Sequence, residues 1–152
     1  MSKRLLSIQY PPFIYQDFGK LGFERFGFDI YQCDLGEFSE LEAIIDRVIK
    51  QDWDMNLADF DAVLIINRSV AEPFDEKLLF PKKEILEFRN RIKIISEQKG
   101  KPILFIGIYG GLPEKHYDQQ ARLFDGLFLS GAMPSQTMED VVNKIHSFAI
   151  DQ

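Results

Sequence analysis

The sequence predicts an α/β protein built on a five-stranded parallel sheet with helices on both of its faces. Five strand-like segments alternate with helical segments along the 152 residues, and this alternation is typical of consecutive βαβ units. Two of the strand-like segments, residues 62–66 and 102–108, are unbroken apolar runs, as expected for strands covered on both faces. Because such crossovers are right-handed, five units favour a three-layer, flavodoxin-like fold with strand order 2-1-3-4-5.

The length and charge of the chain limit the function classes. One domain is expected over residues 1–152, because this length is ordinary for a single core. The net charge of −6 argues against binding to nucleic acids and to anionic membranes. A local cluster of basic residues is interspersed with glutamates, which is typical of a solvated helix face. This cluster consists of Lys82, Lys83, Arg89, Arg91 and Lys93.

The cysteine content and the lack of long apolar segments indicate a cytoplasmic protein. Cys33 is the only cysteine, so no intrachain disulfide can form, and this fits a reducing compartment. No apolar run approaches the roughly 18 residues that a membrane span needs. The N-terminal segment also lacks the apolar core of a secretory signal. We therefore expect no membrane association.

The first half of the chain contains two predicted strands and one strongly predicted helix. Residues 4–10 form the first strand, which Pro11 and Pro12 end because proline cannot donate to a strand ladder. A short helix over residues 14–23 is weakened by glycines, and residues 28–33 alternate as a second strand. Ser39 and Glu42 form a capping box that begins a helix over residues 39–51. Trp53 is expected to pack as a lid over the connection to the next strand.

The second half continues the same alternation. The central strand, residues 62–66, leads into a long loop over residues 70–83, which is expected to hold a helical turn or to move. The apolar residues of this loop either pack against the domain or form a dimer contact. A helix over residues 82–98 ends at Gly100, and the strand 102–108 then turns away at residues 109–113. A helix over 114–123, a strand over 126–130 and a helix beginning near 135–137 complete the chain.

Polar residues follow several predicted strands where a ligand would bind. In open α/β sheets, ligands bind outside the carboxyl ends of the strands. Arg68 follows a buried strand and could clamp a carboxylate or phosphate, or form an ordinary salt bridge. His116 could serve as a general acid or base, and the glycines of the GIYGG segment could bring amides near a phosphate, although a Walker lysine is missing. The candidate ligand-binding residues are Tyr10, Asn67, Arg68, Ser69, Tyr109, Gly110, Gly111, His116 and Ser130.

The carboxyl-terminal part of the chain, about its last 90 residues, resembles a response-regulator receiver domain. Residues 124–129, FDGLFL, followed by a proline and an amphipathic helix, are similar to the last strand and helix of receivers. Residues 61–67 resemble the central receiver strand, and residues 101–105 resemble the fourth. The resemblance implies a CheY-like (βα)5 fold and a regulatory role in protein assemblies.

The phosphotransfer residues that this resemblance implies are missing. The acidic pair after the first strand is replaced by Gln9 and Tyr10, and the phosphoacceptor aspartate by Asn67. The lysine expected after the fifth strand falls at Ser130 and Gly131. A hard cation prefers clustered carboxylates, so we expect neither a metal nor a cofactor. The sequence thus favours a non-catalytic pseudo-receiver that contacts a protein partner or a second copy of itself.

An enzyme for a nucleotide or sugar is the alternative. Residues 57–64 and 100–104 resemble nucleoside deoxyribosyltransferase-like proteins, and the GIYGG segment suits a nucleotide sugar in a glycosyltransferase-like protein. The first resemblance implies cleavage of an N-glycosidic bond by a helix-borne glutamate, for which Glu84 and Glu87 are candidates. The glycine that accompanies this nucleophile is absent. The sequence therefore leaves open whether the protein is an enzyme.

Overall fold

Five parallel strands form one sheet in the order β2-β1-β3-β4-β5. The computed structural model describes residues 3–10, 26–32, 41–50, 56–68, 73, 76–130 and 134–150. The strands are β1 Arg4–Tyr10, β2 Asp29–Gln32, β3 Ala62–Arg68, β4 Leu104–Gly110 and β5 Gly126–Ser130. The helices are α1 Leu41–Ile49, α2 Lys82–Lys99, α3 Tyr117–Ala121 and α4 Pro134–Ile150. The predicted strand order and the parallel pairing are confirmed.

Helices cover both faces of the sheet. Side chains of successive strand residues point to opposite faces, so each apolar strand presents apolar side chains to both layers of helices. On one face, α1 and α2 pack their buried residues Ile45, Val48, Ile85, Phe88 and Ile92 against the strands. On the other face, α4 packs Val141, Val142 and Ile145 against β1, β3 and β4. The middle strands are therefore buried on both sides, which explains why residues 62–66 read as an unbroken apolar run.

The longest described helix, α2, was predicted almost to the residue. Ile85, Phe88, Ile92 and Ile95 recur at helical spacing, and all four are buried. Gly100 ends the helix with a left-handed backbone at φ 70°, and its N–H donates to the carbonyls of Ser96 and Glu97. No helix in the described part of the chain is long and apolar enough to cross a membrane.

Several element boundaries differ from the sequence predictions. Strand β4 starts at Leu104 and runs on to Gly110, so Tyr109 and Gly110 are strand residues and not part of a turn. They remain in the ladder because β3 also extends, to Arg68, and supplies their partners. The predicted helix over residues 114–123 is a 3-10 turn, Glu114–His116, followed by the short α3. Residues 82 and 83 belong to α2, which shortens the preceding loop.

Several sequence predictions concern residues that the structure does not describe. These are the helix over residues 14–23, the capping serine at 39, the lid tryptophan at 53, the cysteine at 33 and most of the loop over 70–75. Within that loop region a 3-10 turn, Glu76–Leu78, supplies the helical turn that its length suggested. Helix α1 itself spans Leu41–Ile49, inside the predicted range.

Two aspartates fix the amino ends of the strands. Asp61 precedes β3, and its Oδ2 accepts a hydrogen bond of 2.8 Å from the backbone N–H of Arg4 at the start of β1. Asp125 precedes β5, and its Oδ2 accepts one of 2.8 Å from the N–H of Phe105 in β4. Each aspartate also donates its own N–H to the carbonyl of the same residue. These paired bonds set the register in which the opposite, carboxyl ends meet.

Candidate functional site

The sheet aligns six of the nine candidate residues at the carboxyl ends of its strands. Tyr10 of β1, Asn67 of β3 and Tyr109 of β4 are register partners in consecutive strands. One residue further along, Arg68 is the partner of Gly110, and Gly110 is the partner of Ser130 in β5. The side chains of Tyr10, Arg68 and Ser130 and the whole of residue 69 lie outside what the structure describes. Their role in ligand binding stays a prediction.

Asn67 ends the central strand as a buried amide. Its exposed fraction is 2%. A buried neutral amide needs no counter-charge, whereas a buried carboxylate is costly unless it is paired. This position therefore suits packing and hydrogen bonding.

Tyr109 lies wholly inside the core beside Asn67. Its ring is fully buried and meets the ring of Phe80 edge-on, with centroids 5.3 Å apart. Burial raises the pKa of the Tyr109 phenol well above its usual range, because the charged phenolate would lose its hydration. The phenol consequently stays neutral at physiological pH.

A continuous chain of aromatic rings lies along β4, from Tyr109 near its carboxyl end to Phe105 near its amino end. The ring of Phe80 contacts that of Phe124 at 4.8 Å, and Phe124 stacks on Phe105 at 5.0 Å. Phe105 then contacts Phe88 of α2 at 5.4 Å. The ring of Phe124 lies so close to Gly107 that a Cβ there would come within 2.7 Å of it. Glycine is thus required in β4 to let this ring lie on the sheet.

Gln120 ties α3 to the segment that precedes α2. Its side chain is 7% exposed, and Oε1 accepts a 2.8 Å hydrogen bond from the buried N–H of Phe80. Gln120 is not among the candidate residues predicted from the sequence. Its position in the predicted helix over residues 114–123 indicates its role: it lies three residues after Tyr117 and three before Leu123, so the three share one face of that helix. A polar residue at such a position is expected to satisfy a buried backbone group.

His116 lies near this same connection. Its Nε2 is 3.9 Å from Oε1 of Glu76, and the side chain of His116 is only 12% exposed. One residue on, the Tyr117 hydroxyl donates a 3.2 Å hydrogen bond to the carbonyl of Leu127 in β5. These contacts hold residues 116–120 between the 3-10 turn at 76–78 and the sheet. They give His116 a structural setting, and its proposed acid–base role stays a prediction.

The glycines of GIYGG do not form the open turn expected for a phosphate cradle. Gly110 is buried, and it is paired with neighbouring strands on both sides. Gly111 is exposed, with a left-handed backbone at φ 86°, and it begins the departure of the chain from β4. Among the described residues, no group of three His, Cys, Asp or Glu side chains could hold a metal ion.

Two described clefts lie along α2, away from the candidate site. One has a volume of about 430 Å³ and is lined by Asn56, Arg91 and Lys99 among others. The other, of about 480 Å³, lies against Arg89, Lys93 and Asp125 and reaches the residues that precede β4. Arg89 is already engaged there, since it donates to the Arg122 carbonyl at 2.8 Å and pairs with Asp125 at 3.2 Å.

Sheet order, parallel pairing and helices on both faces define the class of this protein: it has a flavodoxin-like α/β fold. No protein-family model and no curated protein matches the chain. Two solved structures share the fold. A candidate pilus assembly-related protein of Burkholderia pseudomallei has a TM-score of 0.57 at 9% identity, over 95% of this chain and 90% of its own. A candidate pilus assembly protein, CpaE, of Burkholderia thailandensis has a TM-score of 0.55 at 11% identity, over 95% of this chain and 98% of its own.

Proposed function

We propose that the chain is a receiver-like regulatory module that works without phosphotransfer and acts through contacts with other proteins. The observation that carries the proposal is Asn67, a buried amide at the carboxyl end of the central strand. In a receiver this position holds the aspartate that accepts the phosphoryl group. The neighbouring register partners are tyrosines, Tyr10 and Tyr109, and not the carboxylates that would bind Mg²⁺.

The names of two structural neighbours suggest a setting for such a module. One is a candidate pilus assembly-related protein and the other a candidate pilus assembly protein, and each matches nearly the whole of this chain. At 9% and 11% identity the likeness shows the fold alone. Joined with the missing phosphotransfer residues, it favours a module that other proteins recognise by its surface. Membership in a pilus-like assembly is one such setting.

The enzyme alternative has less support. The rings of Phe80 and Tyr109 pack against each other beside the carboxyl end of β4, so the Tyr109 side chain is directed into the core. Of the two candidate nucleophiles, Glu87 is exposed and Glu84 is partly buried in the first turn of α2. Neither glutamate is joined to the residues of the candidate site by a described hydrogen bond or ion pair. We therefore favour the regulatory module over the enzyme.

The test is incubation with a small phosphodonor such as acetyl phosphate in the presence of Mg²⁺, followed by intact-mass measurement. We expect the protein to remain unmodified. An Asn67→Asp variant restores the missing acceptor and is the matched control. We expect it to remain unmodified as well, because Gln9 and Tyr10 supply no acidic pair for the metal. A stable aspartyl phosphate on the natural protein would reject the proposal.

A thermal-shift screen with nucleotides, nucleosides and sugar nucleotides separates the module from the enzyme. A ligand that binds only the folded protein raises the melting temperature by mass action, by an amount that grows with its concentration relative to Kd. We expect no shift. A concentration-dependent shift that is lost in an Arg68→Ala variant would instead favour the ligand-binding alternative at the strand ends.

A further inference from the structure

The outward face of α2 exposes two large apolar side chains. Leu86 is 41% exposed and Ile94 is 40% exposed, and they lie on either side of Asn90 along the helix. At about 100° per residue, both lie about 40° from the direction of Asn90. Lys83 and Glu97, both exposed, lie about 20° from it. We call these five residues, Lys83, Leu86, Asn90, Ile94 and Glu97, the outer stripe.

The outer stripe points away from the core. The buried residues Ile85, Phe88, Ile92 and Ile95 lie about 140° to 160° from Asn90 around the helix. All five residues are exposed, and Ile94 also borders the cleft that Asn56 and Ala58 line. Isolated exposed leucines and isoleucines are ordinary. Leu86 and Ile94, however, lie about 12 Å apart on one stripe, on either side of Asn90, so that one partner helix can cover both.

The outer stripe is complementary to itself. Its residues are placed symmetrically about Asn90: Leu86 and Ile94 are each four positions away, and Lys83 and Glu97 are each seven. Two α2 helices can pack antiparallel about a two-fold axis at Asn90. A residue that precedes Asn90 in one copy is then level with the residue that follows Asn90 by the same number of positions in the other copy. Leu86 then lies level with Ile94 of the second copy, about 6 Å along the helix from the axis. Lys83 lies level with Glu97, about 10.5 Å from the axis.

Each of these three levels joins groups that suit one another. Leu86 and Ile94 bury apolar surface together, and Lys83 and Glu97 carry opposite charges. Asn90 of one copy faces Asn90 of the other. A carboxamide has both donors and an acceptor, so the two side chains can hydrogen-bond to each other. A two-fold interface requires such self-complementarity, because the same patch serves both subunits.

We propose that a second copy of this chain docks on the outer stripe, forming an antiparallel α2–α2 pair centred on Asn90. This proposal deepens the proposed function by naming one partner. It rests on the proposed function for the expectation that the chain works through protein contacts. Association and phosphorylation are measured separately, so either proposal can fail alone. The contact is distinct from the apolar residues of the loop that precedes α2, where the sequence suggested a dimer contact.

Charge reversal across the two-fold axis tests the proposal by sedimentation velocity over a concentration series. We expect the natural protein to approach the mass of a dimer as its concentration rises. Lys83→Glu alone and Glu97→Lys alone should each weaken the dimer by on the order of tenfold, because each creates two like-charge contacts. The double variant Lys83→Glu/Glu97→Lys should restore it. Lys115→Glu, an equal charge change at an exposed residue outside α2, should have little effect.

A symmetric cross-link gives an independent readout. In a background with Cys33→Ser, an Asn90→Cys variant should form a disulfide dimer under mild oxidation, because position 90 faces itself across the axis. Arg91→Cys, about 100° around the helix, should cross-link much less. Circular dichroism melts establish that each variant is folded.

Four results would overturn the proposal. The first three are a monomer at every concentration, a dimer that neither single reversal weakens, and equal cross-linking at positions 90 and 91. A dimer weakened by Lys83→Glu but not by Glu97→Lys would also overturn it, since that pattern indicates contact with a generally acidic surface.

Discussion

The two ends of the sheet satisfy their backbone groups with different chemistry. At the amino ends, the carboxylates of Asp61 and Asp125 accept N–H groups at the start of neighbouring strands, Arg4 and Phe105, at 2.8 Å. Near the carboxyl end of β4, the comparable partner is the neutral amide of Gln120, which accepts the N–H of Phe80 at 2.8 Å. The two bonds to aspartate are partly buried, whereas the bond to Gln120 is buried.

The difference follows from the cost of burying charge. Asp125 remains exposed and pairs with Arg89, so that its charge keeps much of its hydration. A carboxylate at the place of Gln120, which is 7% exposed, would lose that hydration and cost several kcal/mol unless it were paired. Asn67 and Tyr109 follow the same rule, since both are buried and neutral. In related folds this end of the sheet binds ligands, whereas here its described side chains pack on one another.

The aromatic layer along β4 should be the most sensitive part of the molecule. A Cβ at Gly107 would lie 2.7–2.8 Å from three ring atoms of Phe124. That ring cannot swing away, because Phe80 and Phe105 pack on it at 4.8 and 5.0 Å. We expect Gly107→Ala to lower the free energy of unfolding by about 2–3 kcal/mol, measured by urea denaturation.

Gly126→Ala is the matched control for this prediction. Its Cβ would meet the side chains of Phe128 at 3.3 Å and Lys144 at 3.6 Å, and both of these are partly exposed and can move. We expect a loss below about 1 kcal/mol. Equal losses for the two variants would show that the Phe124 ring is not held as rigidly as its contacts indicate.

Removing one hydrogen-bond acceptor at each end of the sheet compares the amide of Gln120 directly with the carboxylate of Asp61. Gln120→Ala leaves the buried N–H of Phe80 unpaired, and we expect a loss of about 2 kcal/mol in urea unfolding. Asp61→Ala leaves the N–H of Arg4 without its carboxylate, but this group is only partly buried and water can replace the acceptor. We expect a loss of about 1 kcal/mol there.

The neighbouring residue provides the control for Gln120. Gln119 has the same side chain and is exposed, so Gln119→Ala should change stability by no more than about 0.5 kcal/mol. If Asp61→Ala proved more damaging than Gln120→Ala, the amino end and not the carboxyl end would be the more enclosed of the two.

The fold was predictable because its signals are local and repeated. The apolar runs of β3 and β4 and the helical spacing of Ile85, Phe88, Ile92 and Ile95 appear directly in the sequence. The end of β4 was misplaced because Tyr109 and Gly110 look like the start of a turn. Their strand state depends on pairing with Asn67 and Arg68, which are over 40 positions away along the chain. Such non-local pairing leaves no local pattern.

The relative positions of the candidate residues at the strand ends were predictable, but the burial of their side chains was not. Counting strand ends correctly places Tyr10, Asn67 and Tyr109 beside one another. The sequence could not show that Tyr109 is fully buried, because its burial depends on Phe80 and Phe124, which follow other elements. For the same reason, the acceptor role of Gln120 was missed: its partner, Phe80, is 40 residues away.

The smallest effect near neutral pH, and the most specific one, concerns the Tyr109 phenol. Burial raises its pKa in the folded protein, whereas in the unfolded chain a tyrosine ionises near pH 10. The stabilisation is therefore fully present below about pH 10, and it is lost as the pH rises further, since ionisation then favours the unfolded state. This contribution to the loss approaches about 1.4 kcal/mol per pH unit.

Tyr109→Phe removes this dependence, because phenylalanine has no proton to lose. At pH 8 we expect the variant to be within about 1 kcal/mol of the natural protein in urea unfolding. Near pH 11 it should lose less stability than the natural protein does. Tyr31→Phe is the control, because Tyr31 is 38% exposed and its ring remains accessible to water, so this variant should keep the natural alkaline slope. An unchanged slope in Tyr109→Phe would mean that the phenol ionises without unfolding, and that water reaches the carboxyl end of β4 more readily than its packing implies.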